Sequence, residues 1–237
     1  SAFRKFFELE FPANANVQNI ANTLANNPLV EWARPIPADQ GQPLGPYYPP
    51  DAKFSNDQMW YVHQGTDKAD VNGPEAWEWT LGSPNVVIAI CGGGINWLTP
   101  NYYQSDDVAA NLWTNPGEIA NNGIDDDGNG FVDDIHGWNF YPYSGHPNGD
   151  NDIEYIHNPW ADPLWWHGTP MASEAASAID NCTSGNCGVG VAPNCRIMGV
   201  PHNDAPSIVY ATDNGAKVFV YGFRFNTDYF VQFIEYA

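Results

Sequence analysis

Two stretches of this 237-residue chain carry the residue types that do chemistry. The first is Asp125-Asp126-Asp127-Gly128-Asn129-Gly130-Phe131-Val132-Asp133-Asp134. Oxygen side chains recur at Asp125, Asp127 and Asn129, and Gly130 stands sixth, where a sharp turn is needed. A backbone carbonyl at Phe131 and a carboxylate at Asp133 or Asp134 would continue a shell of hard oxygen ligands. That is the spacing of an EF-hand loop, except that its twelfth position is His136 and not Glu. Five carboxylates within ten residues repel one another without a counter-ion, so the segment reads as a calcium site, with a solvated acidic turn as the alternative. The second stretch is Trp166-His167-Gly168-Thr169-Pro170-Met171-Ala172-Ser173. There an imidazole precedes a tight Gly turn and a run of small residues that predicts a helix over 171–179. Such a histidine is either a packed structural residue or a proton carrier held by that packing.

Other chemical signals are weaker. Gly92-Gly93-Gly94 follows an apolar strand, but the glycines lack dinucleotide-binding spacing and Asn96-Trp97-Leu98-Thr99-Pro100 does not begin a helix. His146 and His157 fall in a Pro-, Asn- and Asp-rich stretch (141–165) and read as exposed loop residues. Cys182 and Cys187 flank a short loop that a disulfide could close, whereas Cys91 and Cys195 sit at strand ends and read as small core fillers. No CxxC pair is present, which argues against zinc, and the paired cysteines favour an oxidising, extracellular setting.

Elements able to hold these residues follow from the patterning. The apolar runs Val86 to Cys91, Arg196 to Val200 and Lys217 to Tyr221 read as strands, with a short helix over 207–213. Continuous apolar strands alternating with helices imply an α/β fold with a parallel, doubly wound sheet buried on both faces. Residues 1–35 read as a small α+β unit: a strand over 3–11, a helix with Val17, Ile20, Ala21 and Leu24 on one face, and a strand over 29–33. Residues 36–53 are Pro-rich and read as a linker, and 54–237 form the main domain. The charge is lopsided, 28 Asp+Glu against 8 Lys+Arg, net −20. This disfavours nucleic acid as a partner. No run of about 18 apolar residues offers a membrane span. Ser1-Ala2-Phe3-Arg4-Lys5 lacks the apolar core of a signal peptide, so secretion would require a leader outside this sequence.

Taken in order, these blocks resemble the subtilisin-like serine proteases. Phe54 to Tyr61, Asn72-Gly73-Pro74-Glu75-Ala76-Trp77, the strand ending at Cys91, the acidic loop, His167-Gly168-Thr169, Gly190-Val191-Ala192-Pro193 and Asp213-Asn214-Gly215-Ala216 all have counterparts in that family. The resemblance implies that His167 is the catalytic histidine, that the acidic loop carries stabilising calcium, and that residues 1–35 match the tail of a prosegment. Gly168-Thr169-Pro170-Met171-Ala172 is also similar to the family's nucleophile motif, with Pro170 in place of the serine; the following Gly-Val-Ala-Pro block favours the histidine assignment.

The resemblance fails at the chemistry. The family's first strand delivers the triad aspartate, and the matching position here is Gly92; no Asp or Glu stands between residues 84 and 100. The region that would supply the oxyanion-hole asparagine and the nucleophilic serine lies outside this sequence. The chain is therefore expected to be inactive alone. It would be either the N-terminal half of an endopeptidase or a calcium-binding pseudoprotease used as a binding or assembly scaffold. A sheet ending near Tyr221 should leave Met198, Val218 and Val220 short of neighbours, so a second chain or self-association is expected to complete it.

Overall fold

The computed structural model describes residues 11, 15–30, 46–54, 62, 70–98, 105–142, 145–154, 167–181, 187–201 and 205–222. The chain divides into two compact units, Ser1–Leu44 and Gly45–Ala237.

The described part of the first unit is one helix, α1 (Val17–Ala25). Its N-terminus is capped by Asn16, whose side chain accepts the Asn19 N–H at 3.0 Å. Ala21 is buried and Ile20 half-buried, on the face expected from the sequence. Leu29 and Val30 form a turn and an irregular residue, not a strand; the remaining strand residues of this unit lie outside the described residues.

The second unit is built on a three-stranded sheet with α-helices. Its strands are β1 (Val87–Gly92), β2 (Arg196–Pro201) and β3 (Ala216–Tyr221), in the order β2-β1-β3 and all parallel. The sequence of β1 is Val-Ile-Ala-Ile-Cys-Gly, and every residue in it is buried, as a central strand covered on both faces requires. Alternate residues feed two cores. Ile88 and Ile90 pack with Val108, Leu112, Ile153, Ala172, Ala176 and Ile197. Val87, Ala89 and Cys91 pack on the opposite face with Trp113, Met198, Val200, Tyr210 and Ala211. Each fully buried side chain of this size contributes about 1.5–3 kcal/mol, so the sheet is the main anchor of everything attached to its ends.

Helices described in this unit include α2 (Gly73–Trp77), α3 (Ser105–Ala109), α4 (Gly168–Ala176) and α5 (Ala205–Asp213). Two expectations need correction. Met198 is fully buried and short of no neighbour, because α5 covers that face of β2. Val218, by contrast, is 45% exposed as expected, and β3 is an outer strand of the sheet among the described residues. Helix α4 starts at Gly168 and ends at Ala176, earlier at both ends than its apolar pattern suggested. The helix expected after Tyr221 lies outside the described residues.

Candidate active site and acidic loop

Helix α4 is pinned at its first turn. A Cβ on Gly168 would stand 2.2 Å from the Gly93 carbonyl oxygen and 2.8 Å from that of Gly94, so only glycine lets the helix seat on the turn after β1. The next residue, Thr169, is fully buried and its Oγ1 accepts the Asn96 N–H at 2.8 Å. These contacts fix the half-buried His167 at the carboxyl end of a parallel strand, where open α/β sheets place their ligands.

The ring lies between the ends of β1 and β3. A Cβ built on Gly92 would lie 3.7 Å from His167 Nδ1, 3.1 Å from Met171 Sδ and 3.5 Å from Met171 Cε. A Cβ on Gly222, just past β3, would lie 2.4 Å from His167 Cε1, 2.9 Å from Nδ1 and 2.7 Å from the same sulfur. Position 92 therefore faces Nδ1, and Met171, four residues along α4 from His167, fills the space beside it. Ser173 and Ser177, farther along the helix, are buried and share a 2.9 Å hydrogen bond.

The segment after α4 is held by buried carboxylates. Asp107 of α3 accepts the Gly188 N–H at 3.0 Å, and burial pushes its carboxyl up to about 6. Asp51 accepts the Asp180 N–H at 3.0 Å and is likewise raised by burial. Tyr47 donates its hydroxyl to Asp180; chiefly through that bond its own pKa is pushed up to about 12. Cys187 is disulfide-bonded, Cys182 lies outside the described residues, and Cys91 and Cys195 are buried and in no disulfide.

In the acidic loop, carboxylate oxygens of Glu118, Asp125 and Asp127 lie within 4.8 Å of one another. Glu118 was not singled out in the sequence; seven residues before Asp125, it falls outside the alternating frame. Its Oε1 accepts the N–H groups of Asp126 (2.8 Å) and Asp127 (3.2 Å), and its Oε2 that of Asp133 (3.0 Å). The other residues named from the sequence do different work. Asp133 accepts the N–H groups of Asn122 and Gly123 at 3.0 and 2.9 Å. Asn129 Oδ1 accepts the Phe131 N–H at 2.8 Å. The Phe131 ring stands edge-on to Trp138 and Tyr210.

Asp134 is fully buried and accepts from Asn115 Nδ2 (2.8 Å), Asn129 Nδ2 (3.1 Å) and the Tyr210 hydroxyl (2.7 Å). Burial raises its pKa against these three hydrogen bonds, which lower it. Burial, then the Asp134 charge, also raises that of Tyr210. This carboxylate ties the loop to α5 and so to the sheet. His146 is exposed as expected, 3.4 Å from an Asp150 oxygen; His157 lies outside the described residues.

No family model matches the chain. Among curated proteins it is 30% identical over 146 residues to Subtilisin-like protease 1 of Plasmodium berghei, covering 61% of this chain and 20% of that protein. It is 27% identical over 214 residues to the thermophilic serine proteinase of Bacillus sp. strain AK1, covering 86% and 39%. With bovine furin the match is 30% over 180 residues, covering 76% and 18%. The chain thus spans well under half the length of each of these relatives.

Proposed function

The chain is related to the subtilisin-like serine proteases, and from that premise we propose that it is the N-terminal part of a peptidase-type catalytic domain whose histidine has lost its orienting carboxylate. His167 stands at the place of the general base. Gly92 stands where an acidic side chain would face Nδ1. The 3.7 Å separation between a Cβ at position 92 and that nitrogen is the observation that supports this reading. In a serine triad the carboxylate holds the imidazole in the productive tautomer and stabilises the imidazolium formed during attack. A glycine does neither, and in subtilisins loss of this carboxylate alone lowers turnover by roughly four powers of ten. Ser173 of α4 and Ser177 just after it are buried, so they offer no accessible nucleophile. A fluorophosphonate probe applied to the chain should give no labelling; a stoichiometric serine adduct overturns the proposal.

A second reading, a scaffold that binds or assembles without cleaving, is favoured by the buried Asp134–Tyr210 anchor. That charged tie to the sheet persists while position 92 holds no carboxylate. On this reading the acidic loop carries calcium. Glu118, Asp125 and Asp127 are hard oxygen donors close enough to share one ion, in a chain of net charge −20. Bound calcium would neutralise their repulsion and brace the loop. The same proposal places the protein outside the cell, with Cys187 in a disulfide, and residues 1–35 as a prosegment-like unit. It also pairs the exposed edge of β3 with a further strand or a second copy of the chain. Sedimentation of a stable 26.2 kDa monomer would remove the partner from this picture. Among the described residues no helix is long and apolar enough to cross a membrane.

A further inference from the structure

Resting on the reading of position 92 given above, we propose that Met171 has become the positioning residue for His167, and that Gly92, Gly222 and Met171 form one steric unit. The thioether occupies the volume a side chain on residue 92 would enter, since a Cβ there already meets Sδ at 3.1 Å. It is hemmed in from the other strand as well: a Cβ on Gly222 would approach the same sulfur at 2.7 Å and the ring at 2.4 Å. A glycine at the end of β1 and another just past β3 are thus what lets an imidazole and a thioether lie side by side. Met171 is four residues from His167 on α4, so their side chains leave the helix on the same side. Methionine suits such a slot, being unbranched, polarizable and able to pack against an aromatic ring.

It follows that the vacancy at 92 and the bulk at 171 are coupled. An aspartate introduced at 92 finds the sulfur where its carboxyl group must go, and it reaches Nδ1 only when residue 171 is cut back. A carboxylate contact from position 92 to Nδ1 is therefore not made by one substitution.

The test is a cycle of G92D, M171A and the double variant in the full chain, read by the low-field Nδ1 proton of His167 in NMR and by the melting midpoint. The double variant should show the low-field proton of an imidazole–carboxylate hydrogen bond. G92D alone should not, and should melt about 5 °C lower than the parent from overpacking. The midpoint of the double variant should exceed the sum of the two single effects. If G92D alone gives the same proton, Met171 does not control the slot and the inference falls while the reading of position 92 stands. If the folded double variant gives none, that reading falls and takes the inference with it. Should G92D fail to fold, formate serves as the probe. It should shift the His167 ring resonances of M171A in a saturable manner and leave the parent unchanged. Equal shifts in both, or none in either, overturn the proposal.

Discussion

The acidic loop and the histidine site are secured in opposite ways. In the loop, charge is met by directed donors: Asp134 takes two amides and a phenol, Glu118 three backbone N–H groups, and Asp133 two. Beside His167, the two strand ends contribute glycines and the helix contributes a thioether. A charged network depends on every member, because removing one group strands buried partners. A packed site tolerates change in chemistry as long as volume is kept. The difference teaches that one region is held by directed charge and the other by volume: the space facing position 92 is filled by sulfur and carries no ion.

The sharpest way to break this comparison is Asp134→Ala. It strands Asn115, Asn129 and Tyr210 in a buried setting and should cost about 3–5 kcal/mol in chemical denaturation; a loss below about 1 kcal/mol would mean the network is not what holds the loop. Removal of calcium comes next. If the ion binds at about a hundred times its Kd, it contributes about 2.7 kcal/mol, so chelation should lower the melting midpoint, and the effect should vanish in Asp125→Asn/Asp127→Asn. A chelator-insensitive midpoint would discredit the site.

A smaller effect should appear with pH, measured in chelator. The Asp107 carboxyl is raised from 3.8 to about 6 by burial, so the folded state binds a proton more tightly than the unfolded chain does. Its contribution is fully present below pH 3.8 and is lost as pH rises through about 6. Asp107→Asn should flatten this fall in stability between those values, and an unchanged slope would assign it elsewhere. Smallest of all should be Gly92→Ala. The thioether need yield only a few tenths of an ångström from a 3.1 Å approach, at a cost below about 1 kcal/mol. A loss as large as that of Asp134→Ala would erase the contrast between the two regions.

Much of the scaffold was legible in the sequence. Strands β1, β2 and β3 follow from apolar runs, and the burial of Cys91 and Cys195 from their places at strand ends. The start of α4 was not, because the reason Gly168 opens the helix is a carbonyl 75 positions earlier at Gly93. Glu118 escaped notice for a similar reason: its partners are aligned by the folding of the loop and not by the spacing within it.

What the sequence determined by itself is everything local: which runs are buried strands, where oxygen ligands alternate, which positions lack a side chain. Only the tertiary structure decided that residues 92, 167, 171 and 222 share one small volume and that Asp134 anchors α5. The physical reason is the parallel sheet. Its neighbouring strands are joined by long crossovers, so the residues that meet at their ends are far apart in the chain, and no short-range pattern records the encounter.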